Sequence, residues 1–279
     1  MFGVTVNHFY KENYPPFVKQ STKFAASLLK NCPEVTTVIV IDGSATEDEE
    51  LRNYCESIGI NYLHGGKILS FAEAYNLGVS QLTESWVVTM ASDIYVYPTT
   101  FTTFREFIET HKDKEIGCLI PYLSRCDFPV QRTTQNQQRY SCYSPIMSLN
   151  MNVFPKDVYE KSGGISTNYT GNFNDVDLTL KLQKMGLNIF LVDNYVQHYG
   201  RLTLRHGTNV DAHSDWKIFY ADYPELKGNS ELWSLRLDKF LRHPILKLVF
   251  RIAMKVKNKE LRNKLHNWVY DMIPVLQKV

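Results

Sequence analysis

The sequence predicts an α/β fold in which a mixed, mostly parallel sheet is flanked by helices, and three observations predict it. Short β-branched runs recur with helical segments between them, at the spacing of successive β-α units. Polar clusters follow the ends of those runs: Asn7-His8, Asp42-Gly43-Ser44 and Ala91-Ser92-Asp93. The 279 residues are 44% hydrophobic and 13% aromatic, enough to bury a full core in one large domain or one domain plus an appendage, which argues against a disordered chain.

The elements follow in order. Phe2 to Phe9 reads as a strand. Pro15-Pro16 opens a segment with Phe17, Phe24, Ala25, Leu28 and Leu29 at helical spacing, and Pro33 stops it. Val35 to Ile41 is a β-branched strand running into Asp42-Gly43-Ser44. Glu47 to Ile58 places Leu51, Tyr54, Cys55 and Ile58 on one helical face, with Thr46 as its expected cap; Gly59 ends it and Ile60 to Leu63 makes a short strand. A helix over about Phe71 to Leu82 precedes the strand Trp86 to Met90, then come a helix near Phe101 to His111 and the strand Ile116 to Ile120. Farther on, Pro155 to Ser162 reads as a helix, another begins near Asn174, and a strand precedes His198.

In such sheets ligands bind beyond the carboxyl ends of the strands. One aspartate after a strand is also ordinary turn chemistry, so it is the convergence of several polar clusters on one edge that argues for a site. The five cysteines, Cys32, Cys55, Cys118, Cys126 and Cys142, form no Cys-x-x-Cys pair, which favours reduced thiols over a disulfide framework or a zinc site. Met1 to Val6 begins directly in a strand-like run, and no apolar run approaches the roughly 20 residues that span a bilayer, so a cytoplasmic protein is expected.

Charge is balanced overall at +2 but unevenly spread. Between Arg236 and Lys264 ten basic residues face two acids, a net of +8, which leaves the remainder at −6. Pro244 is placed at a helix start, and Ile245, Leu248, Val249, Ile252 and Val256 follow as one apolar stripe with Lys247, Arg251, Lys255 and Lys259 elsewhere on the helix. Three readings stay open for this tail: packing on the body, a homo-oligomer contact, or a peripheral contact with an anionic membrane. Nucleic-acid binding is disfavoured, since no helix-turn-helix or aromatic-basic strand motif accompanies the charge. The domain reading is a body over 1–215 and a basic helical extension over 216–279.

Five segments, VIVIDGSATED (38–48), LSFAEAYNLGV (69–79), MASDIYVYP (90–98), GGISTNYTGNFNDVDLTLKLQKMG (163–186) and VQHYG (196–200), occur in the order and rough spacing of family 2 glycosyltransferases of the GT-A fold. The resemblance covers residues 3 to about 205. It implies a GT-A, Rossmann-like sheet and a transferase that uses a nucleotide-sugar donor, usually needs a divalent metal such as Mn²⁺ or Mg²⁺, and inverts the anomeric centre. The acceptor it implies is a saccharide or lipid-linked saccharide hydroxyl, in polysaccharide or glycolipid synthesis.

Residue by residue, the resemblance makes Asp42 a nucleotide contact, with Asn7 and Ser44 beside it; the alternative is that Asp42 caps the following helix. Asn76 matches an asparagine facing the nucleotide sugar, though Tyr75 stands where the family has arginine, and a core-facing Asn76 bonded to backbone is the other reading. Ala91-Ser92-Asp93 matches the family's Asp-x-Asp motif with its first carboxylate lost. Asp93 is then the retained metal ligand and Ser92 a donor contact, with metal expected to bind mainly together with the donor. His198 matches a metal-binding histidine, against a structural role; His206 is a weaker alternative, and Arg201 and Arg205 are expected at the leaving diphosphate. Asp175 matches the catalytic base, with Asn174 free to cap the helix, while Asp177 in its first turn reads as structural. Gly163, Gly164 and Tyr169 are expected beside the acceptor. Two other readings remain open, a binding module without activity and a retaining transferase or nucleotidyltransferase of similar fold.

Overall fold

The computed structural model describes residues 1–200, 212–226 and 241–279. The chain begins with β1 (Phe2–His8), α1 (Phe17–Lys30), β2 (Val35–Asp42), α2 (Glu49–Ser57), β3 (Asn61–His64), α3 (Phe71–Gln81) and β4 (Trp86–Ala91). It continues through β5 (Ile94–Tyr95), α4 (Thr100–Thr110), β6 (Ile116–Leu123), β7 (Cys142–Tyr143), β8 (Met151–Pro155), α5 (Lys156–Lys161), α6 (Asn174–Lys184) and β9 (Asn188–His198). Three helices follow among the described residues: α7 (Ala212–Asp222), α8 (Pro244–Lys255) and α9 (Lys259–Leu276).

The sheet order is β3-β2-β1-β4-β8-β6-β9-β5, with β7 also on β9. Pairing is parallel from β3 through β4 and again between β6 and β9, while β8 is antiparallel to both β4 and β6. Since β8 opposes both neighbours, β4 and β6 point the same way. The carboxyl ends of β1, β2, β3, β4, β6 and β9 therefore meet along one rim. Val4, Val6, Val40, Ile41, Val87, Val88 and Met90 are all buried, as strands covered on both faces require. Helix α3 approaches the sheet at Gly78: a Cβ there would stand 1.9 Å from Thr5 Oγ1 of β1, so only glycine lets that helix lie so near.

Several local expectations are corrected. The cap of α2 is Asp48, whose side chain accepts from Leu51 N–H, and not Thr46. Strands β5, β7 and β8 had no expectation because two-residue strands carry no period, and β8 is one short apolar run. Asn174 does not cap α6. The cap position is Phe173, and the Asn174 amide instead donates to Ser166 O at 2.7 Å.

Phe173 is the sole non-glycine residue with positive φ among the described residues, at 65°, and it is buried. That conformation costs on the order of 1–3 kcal/mol. Contacts from α7 hold it: the Phe173 ring stacks on Phe219 at 4.3 Å and meets Trp216 edge-on at 4.5 Å. In the same helix Asp215 is fully buried, and its carboxylate accepts from the backbone N–H groups of Thr170, Gly171 and Asn172 at 2.7, 3.1 and 2.8 Å and from Thr170 Oγ1 at 3.1 Å. A boundary at 215/216 thus falls inside a helix that packs on the body.

The C-terminal end is stitched to the sheet by Gln277. Its side-chain carbonyl accepts from Arg242 N–H at 2.7 Å and its amide donates to Tyr143 O at 3.0 Å, while its own backbone carbonyl accepts from Tyr143 N–H at 3.0 Å. Asp215→Ala removes a buried acceptor shared by three backbone N–H groups of the loop, so a loss of about 2–3 kcal/mol is expected. Asp215→Asn keeps one acceptor oxygen and should lose less; thermal unfolding of the two variants beside the parent measures both.

Candidate active site

The end of β4 and the end of β9 are joined through Asp93. Its backbone carbonyl accepts from Tyr199 N–H at 2.9 Å, and Ile94 pairs with His198 in the short β5–β9 ladder. One carboxylate oxygen, Oδ2, accepts from Gly200 N–H at 3.0 Å; the other, Oδ1, lies 3.4 Å from His198 Nε2. Asp93, Ser92 and His198 are all buried. His198 is the last residue of β9 and does not follow the strand. Its backbone is gripped by Ser124, whose hydroxyl accepts from His198 N–H at 2.9 Å and donates to His198 O at 3.1 Å.

The His198 ring is oriented by a residue that sequence patterns passed over. Nδ1 lies 2.7 Å from Arg125 O, and because a carbonyl only accepts, Nδ1 carries the hydrogen. The lone pair of a neutral ring therefore sits on Nε2, facing the Asp93 carboxylate. Two acceptors in that position need a proton or a cation between them. Burial alone would lower the His198 pKa, but the hydrogen bond and charge of Asp93 outweigh it and raise the pKa above its ordinary value. An imidazole nitrogen beside a carboxylate oxygen is a donor set that suits Mn²⁺ better than Mg²⁺. Among the described residues no group of three or more His, Cys, Asp or Glu side chains gathers for a metal. The pair accordingly offers two ligands and leaves the rest of a coordination sphere to others.

Asp175 stands in the first turn of α6, half-buried, with Oδ1 accepting from Val176 N–H at 2.8 Å. Burial pushes its carboxyl up to about 6, and the charge of Asp127 adds to the rise, while the Val176 hydrogen bond opposes it. Asp127 is exposed, lies in the loop after β6, and acts electrostatically on His198 as well. Through that loop the carboxylate of Asp175 and the Asp93–His198 pair belong to one rim. Helix α1 extends the group toward β1: Ser21 Oγ donates to Ser92 O at 2.9 Å, and the next residue, Thr22, bonds His8 Nδ1 at 2.9 Å.

The remaining expected donor contacts are held by the chain itself. Asp42 is fully buried: Oδ1 accepts from Ser44 N–H at 2.9 Å, and Oδ2 accepts from Asp48 N–H at 3.0 Å and from Tyr62 OH at 2.5 Å. It shapes the loop from 42 to 48, and each of its oxygens already accepts from the chain. Ser44 Oγ accepts from Tyr10 N–H at 2.9 Å. Asn7 donates its amide to Phe71 O at 3.0 Å, but its buried Oδ1 has no hydrogen-bond partner, so among these residues Asn7 is the one with an unused acceptor. Beside them Asp48, whose burial would raise its pKa, is held well below the usual carboxylate range by His8, Leu51 N–H and Lys19.

Asn76, Gly163, Gly164 and Tyr169 are not in this group. Asn76 donates to Ile165 O at 2.8 Å and accepts from Ile165 N–H at 3.1 Å and Tyr159 OH at 2.7 Å. Its amide holds a turn, which corrects the expectation of a donor contact. Gly163 and Gly164 have φ of 77° and 66°, and a Cβ on Gly164 would stand 2.6 Å from Asn76 Oδ1. At Gly164 the close approach is to Asn76, while a Cβ on Gly163 would meet nothing within 4 Å. Tyr169 is buried, with its hydroxyl donating to Asp222 at 3.1 Å. Asp177 accepts from Tyr223 OH at 2.7 Å and pairs with Lys181 at 2.7 Å, the structural role expected of it. Arg201, Arg205 and His206 lie outside the described residues.

Comparison with known proteins agrees with this arrangement. The chain resembles the crystal structure of TarS from S. aureus at a TM-score of 0.55 and 11% identity, over 97% of this chain and 55% of that one. It resembles the crystal structure of S. aureus TarS 1-349 at a TM-score of 0.52 and 11% identity, over 98% and 90%. At that identity the likeness is one of fold, and the chain spans little more than half of the first TarS chain. No curated protein matches the sequence. Residues 9–168, more than half of the chain, match the family described as Glycosyl transferase family 2. With the mostly parallel sheet and the shared rim already in place, that match makes the chain a member of glycosyl transferase family 2.

Proposed function

We propose that the protein is an inverting hexosyltransferase that moves a sugar from a nucleotide-sugar donor to a hydroxyl of a saccharide or lipid-linked saccharide, in polysaccharide or glycolipid synthesis, with Asp175 as the base. The observation that carries this reading is the Asp175 carboxyl, raised to about 6 by burial yet standing on the rim that also holds Asp93 and His198. A carboxylate with that affinity for a proton is a better acceptor than one at the ordinary value and is still largely ionised at neutral pH.

Asp175 would take the proton of the acceptor hydroxyl as the hydroxyl oxygen bonds to the anomeric carbon. The bond from that carbon to the diphosphate oxygen breaks on the opposite face, and its electron pair leaves with the nucleoside diphosphate. Attack opposite the leaving group inverts the centre. Asp93 and His198 are the residues that would hold a divalent cation, whose charge, when bound, offsets the charge gathering on the diphosphate. The Gly200 and Tyr199 N–H bonds keep Asp93 fixed for that purpose. With Ala91 in place of a second carboxylate, the cation would bind tightly only with donor diphosphate oxygens completing its shell.

Ala91 also favours a second reading, a nucleotide-sugar- or carbohydrate-binding module without turnover. Incubation with UDP-, GDP- and dTDP-sugars, Mn²⁺ and an acceptor panel separates the two, since the module releases no nucleoside diphosphate under any combination. Asp175→Asn should lower kcat by ~10²–10⁴ while donor affinity is kept. Because the base must be ionised, kcat/KM should fall as pH drops through about 6, and Asp127→Asn should move that limb to lower pH. A limb left in place by Asp175→Asn sinks the assignment. Calorimetry should find weak Mn²⁺ binding to the protein alone, at least tenfold tighter binding with a nucleoside diphosphate present, and loss of that gain in His198→Ala.

A further inference from the structure

We propose that α8 is a docking face for an anionic lipid bilayer. Its buried side consists of Leu246, Phe250 and Ala253, and the Phe250 ring stacks on His266 of α9 at 5.2 Å. Of the apolar stripe read from the sequence, Val249 is half-buried against the core, while three members face outward. Ile245 is 50%, Leu248 59% and Ile252 48% exposed, and their spacing of three and four puts them on one side of the helix. Lys247, Arg251 and Lys255, four residues apart, form the row beside them, and α8 contains no acidic residue. Lys257 and Lys259 follow at once.

The two rows together choose the occupant. Three large aliphatic side chains in one exposed row mark a contact surface and not ordinary solvent-facing helix. A second copy of the chain laid face to face on this surface would bring two cationic rows together. A nucleic acid would satisfy the basic row and leave the aliphatic row without a partner. An anionic bilayer matches both, with headgroups for Lys247, Arg251 and Lys255 and the acyl boundary for Ile245, Leu248 and Ile252. The helix has 12 residues, and no described helix is long and apolar enough to cross a membrane, so the contact is one of lying on the surface. The Gln277 bonds to Arg242, His243 and Tyr143 tie the start of α8 to β7, so a docked helix holds the catalytic body in a fixed attitude. The inference does not depend on the transferase mechanism.

Co-sedimentation of the full chain with vesicles tests it. Vesicles of phosphatidylglycerol and phosphatidylcholine in equal parts should bind the protein and release it in high salt; phosphatidylcholine alone should bind little. Lys247→Glu/Arg251→Glu/Lys255→Glu should weaken binding about a hundredfold or more. Leu248→Ser/Ile252→Ser should weaken it roughly tenfold or more. Both variants change exposed or half-exposed positions and should keep the parent's unfolding temperature and its turnover of soluble substrates. Equal binding to both vesicle types, or undiminished binding by the folded variants, overturns the proposal. So does a dimer in light scattering that Leu248→Glu dissociates while the parent ignores vesicles, an outcome that would give the face to a second copy.

Discussion

The grip on Asp93 is the constraint on which the rest of the site depends. The residue leaves β4 at the rim, and its position is set by β9, more than a hundred residues later, through Tyr199 N–H, Gly200 N–H and His198. For β9 to arrive there, β6 must lie beside it in parallel and β8 must separate β6 from β4. The antiparallel β8 is thus what lets a sheet of mostly parallel strands bring its two halves to one rim. Ser124 and Arg125, at the end of β6, then fix both the backbone and the tautomer of His198. A change in the β6 loop therefore reaches Asp93 through His198.

The parallel half of this sheet was legible in the sequence because its strands are buried on both faces and alternate with amphipathic helices, a pattern that local composition records. Asp93, Asp175 and His198 were legible too, as polar residues at element ends matching a known order of motifs. What was not legible is non-local. Asp215 stands inside an unremarkable helix, and its importance lies in three N–H groups more than forty residues earlier. Asp127 follows Arg125-Cys126 in a loop with no period, and only its proximity to both Asp175 and His198 gives it weight. Asn76 was legible as an odd polar residue in a buried helix, but whether it turned to a ligand or to Ile165 was decided by a turn 89 residues away.

The saturated carboxylate of Asp42 bears on how this rim differs from a two-carboxylate one. A buried acid with every oxygen bonded contributes shape: it holds Ser44, Asp48 and Tyr62 around the loop after β2. Ala91 offers no charge at all. On this rim the carboxylate beside His198 is Asp93, with the charge of Asp127 also acting on His198, and Asn7 adds an unused neutral oxygen. Such a rim has little power to hold a free cation and more to hold one that arrives with phosphate oxygens, since each carboxylate withheld removes several kcal/mol of attraction only in a dry site.

The proton affinity of Asp175 is a balance of opposed effects. A carboxylate in the first turn of a helix gains from the dipole and from the Val176 N–H, effects worth about 0.3–2 kcal/mol that favour the ionised form. The rise to about 6 runs the other way, so burial, joined by the charge of Asp127, outweighs both. The turn just before Asp175 is held from α7, where the ring of Phe173, at positive φ, lies against Trp216 and Phe219. Asp215 holds the loop that leads into this turn, so contacts from α7 fix where α6, and with it Asp175, begins.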